Sequence, residues 1–373
     1  MKIVHPLLCY FPSQAGGPAN AIYWINNSLD PTFFSSEIIT TQFGLVNPIN
    51  SKEYASNHKV AFLKSKGKPF IKLSIKELNT STIVQFSSLF FPPTLPILFA
   101  AIVKNKTVII SPRGELYPAA VNQKRLRKRL WINLIKLVQT KIHFHATNDV
   151  ELELIQSTFP KAKSVVVIPN YIEMPIKQEQ DIMMSFVFVG RINPIKNIHL
   201  LISAIAEVFK VFPKVQLDIV GSARLDYEIT YMKSLQELIK ANALEQVVCF
   251  RGHLEGASKD DVIASSKALI LPSQSENFGN VVLEALAQGT PVIASKNTPW
   301  QLLEEHNAGA WVDSSIQELT NSMMYFLNLE TNAYSQMRIN SYELCRSNFD
   351  IKTNVNIWEN YYQTITTPTY VQK

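Results

Sequence analysis

Short apolar runs alternate along the chain with longer segments in which apolar residues recur at helical spacing. This alternation predicts an α/β protein in which helices cover both faces of parallel sheets. The runs that we interpret as strands are MKIVHPLL, STIVQFSS, TVIIS, IHFHAT, SVVVIPN, SFVFVG, VQLDIVG, VVCFRG, KALILPS and PVIAS. Ten or so strands are too many for one small doubly wound sheet, so we predict two Rossmann-like sheets.

The stretch VVVIPNYIEMPIKQEQDIMM indicates a domain boundary, because a strand end, two prolines and a polar segment precede the next buried strand. We therefore predict a first domain over 1–173 and a second over 181–345. The tail, 346–373, includes TNVNIWENYYQTI, whose helical spacing and aromatic residues predict a helix that packs back on the first domain. Ligands of doubly wound sheets bind outside the carboxyl ends of the strands, so we expect the chemistry in strand-to-helix loops facing an interdomain cleft.

Composition excludes several classes of protein. The 373 residues are 46% hydrophobic and 18% charged, which is typical of a globular chain and not of a disordered one. Three scattered cysteines, Cys9, Cys249 and Cys345, suggest neither a disulfide framework nor a metal cluster and favour a reducing compartment. The first residues lack a basic region followed by a long apolar core, so we expect no signal peptide and a cytoplasmic location.

One apolar segment, FSSLFFPPTLPILFAAIV at 86–103, approaches the length of a membrane span. It contains three prolines, whereas a span needs about 20 continuous apolar residues. We predict instead a short buried helix that begins near the prolines.

The stretch LPSQSENFGNVVLEALAQGTPVIAS, at 271–295, is interpreted as strand, loop, helix and strand. Its loop brings Glu276 and several backbone N–H groups to a helix N-terminus, where the partial positive charge suits phosphate. Gly279 permits a close approach of the backbone to a ligand. Glu284, one turn into the helix, can accept hydrogen bonds from a ribose diol, and Glu276 can hold hydroxyls of a second sugar. The alternative is that both glutamates only improve the electrostatics of the helix N-terminus.

A second loop, GRINPIKN at 190–197, places Arg191 and Lys196 between a strand and a helix. Such a pair suits a diphosphate, because arginine offers planar donors and lysine a point charge. The alternative is two solvated surface cations. A third loop carries Gly16 and Gly17 after the first strand, but it is no GxGxxG motif, so we predict no nicotinamide site.

Taken together, the three loops resemble the GT-B glycosyltransferases of family 4, the retaining group 1 transferases. Glu276 and Glu284 match the family's E-x7-E element. The resemblance implies that Arg191 and Lys196 hold the donor diphosphate, that Glu284 binds the ribose, and that Glu276 contacts the transferred sugar. It also implies donor contacts at Asn277, Phe278, Gly279 and Asn280, at Gly16 and Gly17, and at His253 and Leu254 of the base-side loop FRGHL. The catalytic residues expected on this basis are Glu276, Arg191 and Lys196, with same-face attack by the acceptor and no side-chain nucleophile.

The chain also departs from the family's common pattern. Many members place a histidine after a first-domain strand, where this sequence has VIISPRGELYP with Arg113, a form that resembles the bacterial surface-polysaccharide subgroup. We expect Arg113 on the acceptor side, with His145 as a rival for that role. The alternative for His145 is a buried histidine whose ring is hydrogen bonded within the core. TPW at 298–300 also resembles that subgroup and has no physical role in this interpretation.

The sequence predicts no metal site, since it contains neither His-x3-His nor an Asp-x-Asp pair. The cations and the helix dipole can offset the charge of the leaving group, so we expect a metal-independent enzyme whose donor is a nucleotide-diphosphate sugar.

The segment NQKRLRKRLWINLIKLV, at 122–138, combines clustered cations with leucines at helical spacing. Such a helix can lie on an anionic membrane, from which a lipid-linked glycan acceptor would be reached, and the enzyme would then be peripheral on the inner face of the cytoplasmic membrane. The alternative is a first-domain helix with leucines in the core and solvated charges. No aromatic stacking platform supports nucleic-acid binding.

The leading functional prediction is therefore a retaining glycosyltransferase that uses a nucleotide sugar to build a lipopolysaccharide, O-antigen, capsule or exopolysaccharide on a glycan or lipid-linked glycan acceptor. Two alternatives stay open. One is a GT-B transferase with a soluble acceptor, and the other is a catalytically silent protein that binds sugar nucleotides.

Overall fold

The computed structural model describes residues 1–13, 17–54, 56–122, 124–178 and 180–367. The chain divides into two compact units. The first comprises Met1–Glu173 together with Ile351–Lys373, and the second comprises Met174–Asp350. Each unit contains one parallel sheet with its own hydrophobic core.

The first unit is built on a seven-stranded sheet of order β3-β2-β1-β4-β5-β6-β7. Its strands are β1 Lys2–Pro6, β2 Ser35–Thr41, β3 Lys59–Leu63, β4 Ile83–Phe86, β5 Thr107–Ile110, β6 Ile142–Ala146 and β7 Ser164–Val167. Its helices before the second unit are α1 Gly17–Ser28, α2 Lys68–Glu77, α3 Thr94–Val103, α4 Pro118–Asn122, α5 Arg125–Lys136 and α6 Asp149–Thr158.

Helix α3 lies within the apolar 86–103 segment and confirms the predicted short buried helix. It has ten residues, and Ile97, Leu98 and Ala101 are buried in the core of the unit. In the part of the chain that the structure describes, no helix combines the length and the apolar character that crossing a bilayer requires.

The C-terminal tail does not form one helix over 346–373. Helix α13, Thr331–Asn348, ends inside that range, and α14 follows at Ile351–Thr366. The break falls at Phe349, whose ring packs against Trp300 in the second unit. The α14 helix packs on α1, and Trp358 and Tyr362 are fully buried in the first unit. Tyr362 also donates a hydrogen bond of 2.7 Å to the side chain of Gln85.

The second unit is built on a six-stranded sheet of order β10-β9-β8-β11-β12-β13. Its strands are β8 Ser185–Val189, β9 Gln216–Val220, β10 Val248–Gly252, β11 Ala268–Leu271, β12 Val292–Ser295 and β13 Gly309–Val312. Its helices are α7 Ile198–Val211, α8 Asp226–Ala241, α9 Gly256–Ser265, α10 Asn280–Ala287, α11 Leu302–Glu305, α12 Ile316–Asn328 and α13.

Apolar spacing explains how these helices cover the second sheet. In α7 the buried residues recur every three or four positions, which gives one apolar face along the helix. This face packs with strand residues such as Phe186 and Leu217 in a single core cluster.

All ten predicted strands are confirmed, and three further strands escaped the analysis of the sequence. These are β2, β3 and β13, each of which lies at or beside the edge of its sheet. Strand β2 is buried at six of its seven positions, but five of its residues are polar, so it lacks a continuous apolar run. Strands β3 and β13 lie at the edges of their sheets and are only partly buried, which weakens their sequence signal.

Candidate functional site

The second unit has the strand order of a doubly wound sheet. All strands are parallel, and the order in which successive strands are added changes from one side of β8 to the other at the β8–β11 pair. At such a switch point the loops that follow the two central strands leave toward opposite faces of the sheet and open a crevice. The two loops here are Gly190–Asn197 after β8 and Pro272–Gly279 after β11. These are the loops that the sequence analysis selected for Lys196 and Glu276.

Local hydrogen bonds shape the loop after β8. The side chain of Asn193 accepts a bond of 3.1 Å from the backbone N–H of Ile195 and so begins a short 3-10 helix, Pro194–Lys196. Asn197 then adopts a left-handed conformation with φ +51° and donates from its amide to the carbonyl of Pro272 at 3.2 Å. The two switch-point loops are joined again where the N–H of Gln274 donates to the carbonyl of Ile195 at 2.8 Å.

Lys196 and Glu276, 80 residues apart in sequence, meet as an ion pair at this point. Their side chains are 15% and 18% exposed, so the pair is largely shielded while still reached by solvent. Shielding strengthens the attraction between opposite charges relative to a fully exposed pair. The switch point therefore presents a cation and a carboxylate side by side.

An aromatic cluster supports the backbone of residues 277–280, which we call the NFGN turn. The indole N–H of Trp300 donates to the carbonyl oxygen of Phe278, and the two rings lie 5.2 Å apart in an edge-to-face arrangement. Phe349 completes the cluster, 5.5 Å from Trp300. Gly279 follows with φ +81°, a left-handed conformation that favours glycine. The structure thus gives Trp300, in the TPW motif, the physical role that the sequence did not reveal.

Glu284 lies one turn into α10 and forms an ion pair of 2.9 Å with Lys259 of α9. Both side chains are mostly buried. Lys259 was not predicted from the sequence, because a strand and a loop separate it from Glu284 and no local motif signals the contact. One oxygen of the Glu284 carboxylate is held in this ion pair.

Arg191 is the more exposed of the two cations predicted after β8. Its Nη1 lies 3.8 Å from Oε1 of Glu228, a buried carboxylate in the first turn of α8. Glu228 also accepts hydrogen bonds from the N–H groups of Arg224 and Leu225 and from Asn193. Burial alone would raise the pKa of Glu228, but these donors and the Arg191 charge outweigh burial and hold the pKa below its ordinary value. Glu228 therefore remains a carboxylate that restrains the loop.

The predicted base-side loop follows β10. The ring Nε2 of His253 lies 2.8 Å from the carboxylate of Glu255, and both side chains are substantially exposed. Leu254 is partly exposed between them. The structure thus places His253 and Leu254 on a loop at the carboxyl end of a strand of the same sheet, where His253 pairs with Glu255 rather than with Glu276.

The loop that carries Gly16 and Gly17 in the first unit is only partly included in the described residues. Gly16 lies outside the described residues, and Gly17 is the first residue of α1. The sequence prediction that both contact a donor stays a prediction.

Arg113 occupies an unusual backbone position in the first unit. Its φ is +50°, and its Nη1 donates to the side chain of Asn170 at 2.9 Å, while Nε and Nη2 are buried without a hydrogen-bond partner. Burial lowers the pKa of Arg113 to about 10, against the opposing influence of Glu151. The adjoining turn is held by Glu151, which accepts from the N–H of Gly114 at 2.7 Å. Arg113 is thus a partly buried cation, two of whose donor atoms are buried and unused.

His145 is a buried histidine with both ring nitrogens engaged. Nδ1 lies 2.9 Å from the hydroxyl of Ser111, and Nε2 lies 2.8 Å from the carbonyl oxygen of Ile168. Burial, followed by the charge of Arg113, lowers its pKa to about 3. This arrangement matches the alternative that the sequence left open, a core histidine satisfied by hydrogen bonds.

Among the described residues, no group of three or more His, Cys, Asp or Glu side chains is placed to hold a metal ion.

The fold and the two switch-point loops together define the class of protein. The chain has the GT-B fold, with two parallel sheets of seven and six strands. It superposes with a TM-score of 0.80 on the crystal structure of Anabaena HepE in complex with UDP and glucose, at 20% identity and over 99% of this chain and 100% of that one.

Residues 175–344 match the family model described as Glycosyl transferases group 1. The chain is also similar to curated relatives. Mannosylfructose-phosphate synthase of Agrobacterium fabrum is 28% identical over 166 residues, which are 40% of this chain and 37% of the relative. D-inositol 3-phosphate glycosyltransferase of Segniliparus rotundus is 34% identical over 109 residues, 29% of this chain and 24% of the relative.

The matches thus span well under two thirds of the length of these relatives. Because the family model covers the second unit, the comparisons support a transferase with a group 1 domain without identifying its acceptor.

Proposed function

We propose that the protein is a retaining glycosyltransferase that takes a sugar from a nucleotide-diphosphate donor and transfers it to a glycan acceptor in bacterial surface-polysaccharide synthesis. One observation carries the proposal. Lys196 and Glu276, from the two loops at the sheet switch point, form a shielded pair inside the region that matches the group 1 family model.

In this proposal the donor diphosphate replaces the carboxylate beside Lys196. Lys196 and the exposed Arg191 then bind the phosphate oxygens, and the N-terminus of α10 adds backbone donors along Asn277–Asn280. These groups stabilise the negative charge that develops on the leaving diphosphate. Glu276, released from its ion pair, accepts hydroxyl hydrogen bonds from the transferred sugar, and we propose that no metal ion is required.

The remaining predicted roles extend this arrangement. Glu284 keeps one carboxylate oxygen on Lys259 and offers the other to the ribose. His253 and Leu254 border the base, and the loop with Gly16 and Gly17 approaches the donor. The acceptor oxygen attacks the anomeric carbon from the face that the diphosphate leaves, so a new C–O bond replaces the bond to the phosphate oxygen and configuration is retained. The hydroxyl proton passes to the departing phosphate oxygen, and no side chain acts as nucleophile.

On the acceptor side we propose Arg113, because a partly buried guanidinium with two unused donors and no carboxylate bonded to it gains from contact with a phosphate or hydroxyl group. Both ring nitrogens of His145 are engaged with Ser111 and Ile168, so we propose Arg113 rather than His145 as the residue on the acceptor side.

The test is a panel of UDP-, GDP- and ADP-sugars assayed for binding and for slow donor hydrolysis. We expect one donor to be turned over, and we expect Lys196→Ala and Glu276→Ala each to reduce that turnover by about 100-fold or more, as loss of a transition-state contact does. Lys210→Ala is the control, because Lys210 is an exposed lysine that pairs with Glu207 on α7. A parent protein that binds a donor without hydrolysing it would leave the silent binder, and one that neither binds nor hydrolyses any donor would overturn the proposal.

The basic helix bears on the nature of the acceptor. In α5, Leu126 and Leu130 are 83% and 59% exposed, and Leu137, just beyond the helix, is 76% exposed. Ile135 is the buried residue of this helix. The structure therefore contradicts the alternative in which all the leucines face the core.

We propose that α5 lies on an anionic membrane, with a lipid-linked glycan as acceptor and the enzyme peripheral on the cytoplasmic face. Arg125, Arg127 and Arg129 are exposed beside the leucines. Each cation near an anionic bilayer contributes about 1 kcal/mol of binding. Lys128 is less available, since it donates to the carbonyl of Ala120 at 2.6 Å.

Sedimentation with vesicles of phosphatidylglycerol and phosphatidylcholine tests this surface. Replacing Lys124, Arg125 and Arg127 by glutamate should abolish sedimentation, while the same change at the exposed Lys64, Lys66 and Lys68 of the first unit should leave it intact. Equal sedimentation of both triple variants would remove the membrane contact from the proposal.

A soluble phosphorylated acceptor is a second candidate. It is favoured by the names of the two curated relatives above, a mannosylfructose-phosphate synthase and a D-inositol 3-phosphate glycosyltransferase. Donor turnover that is accelerated by sugar phosphates and not by lipid-linked glycans would select this candidate.

A further inference from the structure

The first unit contains an open cavity of about 790 Å³ that is lined from three sections of the chain. Its lining includes Tyr23 and Asn27 of α1, Asn57 just before β3, and Lys352 and Val355 of α14. The volume lies within the range of about 300–1,000 Å³ that is typical of sites for small molecules. The described residues of this lining are separate from those of the proposed donor site and from the basic helix α5.

Contacts within the first unit hold the sections of chain that form this cavity. The N–H of Ile351 donates to the carbonyl of Ile172 at 2.9 Å, which fixes the start of α14 beside Glu173. In the segment before β3, the N–H of His58 donates to the hydroxyl of Ser56 at 3.3 Å. A cavity that is already formed loses less conformational entropy when it binds a ligand.

Other aromatic rings fix the position of Tyr23 in the lining. The centre of its ring lies 4.1 Å from that of Phe11 in a stacked arrangement and 5.0 Å from that of Trp24 in an edge-to-face arrangement. Tyr23 is half-buried, so it offers both an apolar ring and a hydroxyl group at one place. A sugar ring presents C–H groups and hydroxyls in the same combination, and it can therefore pack on Tyr23.

Two asparagines bring amide groups to the cavity from different sections of the chain. The adjacent Asn26 shows the contrast, because it is buried and used within the fold. Its amide donates to the carbonyl of Ile22 at 2.9 Å, and its oxygen accepts from the hydroxyl of Ser36. Asn27 is instead half-buried at the cavity, and Asn57 is exposed there. An asparagine amide both donates and accepts, which matches the hydroxyl groups of a sugar.

The charges in the described lining cancel. The Nζ of Lys352 lies 2.8 Å from Oε1 of Glu173, and the two side chains are 69% and 41% exposed. Nucleic acids and other polyanions require an excess of cations, which this lining does not offer. Val355 is the only aliphatic side chain among the described lining residues, so an alkyl chain is matched poorly as well.

We propose that this cavity binds a neutral oligosaccharide, in which one sugar ring packs on Tyr23 and neighbouring hydroxyls bond to Asn27, to Asn57 and to the exposed pair of Glu173 and Lys352. The proposal goes beyond the proposed function, because this binding needs neither a nucleotide-sugar donor nor transfer of a sugar.

Saturation-transfer NMR of the full chain tests the proposal with a panel of neutral trisaccharides, namely maltotriose, cellotriose, mannotriose, galactotriose and chitotriose. Without any nucleotide sugar, we expect at least one of them to bind saturably at millimolar concentration. For that trisaccharide, Asn27→Ala and Asn57→Ala should each raise the Kd about fivefold, as loss of a hydrogen bond does. The double variant should raise it about 25-fold, since effects at separate positions nearly add.

Two controls separate this site from others. Asn79→Ala removes an exposed asparagine of the same unit, which accepts from Lys104 at 2.7 Å, and it should bind the trisaccharide like the parent. Lys196→Ala disables the proposed donor site and should also bind the trisaccharide like the parent, so failure of the proposed function and failure of this inference are distinguishable.

Both cavity variants should fold, because alanine favours the helix at position 27 and Asn57 is exposed, and thermal unfolding checks this. Absence of binding by every trisaccharide of the panel, or a Kd that the folded double variant leaves unchanged, would overturn the proposal.

Discussion

Gly279 offers a direct test of how the NFGN turn is built. Its φ of +81° already disfavours a side chain. A methyl carbon there would lie 3.0 Å from Leu271 Cδ2, 3.2 Å from Glu276 Cγ and 3.5 Å from Trp300 Nε1. Gly279→Ala therefore adds both backbone strain and crowding against the residue that pairs with Lys196.

The magnitude follows from the two contributions. A left-handed alanine costs about 1–2 kcal/mol, partly offset by about 0.4–1 kcal/mol from the loss of freedom in the unfolded chain. Crowding in a packed site adds about 1–3 kcal/mol. We expect Gly279→Ala to lower the free energy of unfolding by about 1–5 kcal/mol, with the middle of that range near 3 kcal/mol, and we expect displacement of Glu276 to weaken donor binding about tenfold.

Gly256 provides the matched control. Its φ is +54°, and a methyl carbon there would meet no atom within 4 Å, so Gly256→Ala adds strain without crowding. Scanning calorimetry of both variants, with titration of the donor that the parent binds, separates the two contributions. If Gly279→Ala and Gly256→Ala lose equal stability and bind the donor equally, the steric argument for this turn is refuted.

Three further substitutions probe individual contacts. Lys259→Met removes the partner of Glu284, and we expect donor affinity to fall about fivefold with little change in kcat, in line with a partly shielded ion pair; tighter donor binding in steady-state kinetics would show that Lys259 competes with the ligand. Trp300→Phe keeps the ring but loses the N–H donor to Phe278, so thermal unfolding should reveal a loss of about 1–2 kcal/mol, and an unchanged melting temperature would contradict this. The lowered pKa of His145, about 3 against an ordinary 6.5, means that the stability contributed by the neutral ring is complete above pH 6.5 and falls as the pH decreases toward 3. The unfolding free energy of His145→Gln should accordingly fall less than that of the parent between pH 7 and pH 5, with a maximal slope difference of about 1.4 kcal/mol per pH unit, and parallel curves would refute it.

Much of the fold could be predicted because it depends on local periodicity. A short apolar run rich in Val and Phe such as SFVFVG, which is followed by glycine, is typical of a strand buried on both faces, and the helical spacing of α7 indicates a helix with one buried face. Strand β13, which was missed, lies at the edge of its sheet and is only partly buried, and β2 was missed because most of its residues are polar. The break after α13 was also missed, because it depends on Phe349 packing against an aromatic cluster distant in sequence.

For the site, the types of the functional residues and the loops that carry them could be predicted. The side chains that each of these residues contacts could not. Glu276, Glu284, Arg191 and Lys196 follow from the strand-to-helix position of their motifs, which is a local property of the chain.

The amino-acid sequence by itself determined which segments become strands and helices and which polar residues stand at strand ends, because backbone periodicity and helix capping act over a few residues. Only the tertiary structure decided that Lys196 pairs with Glu276, that Lys259 pairs with Glu284 and that Trp300 holds the turn at Phe278. Those contacts join residues separated by 22 to 80 positions. Their geometry is set by strand order and packing, which no local pattern of residues encodes.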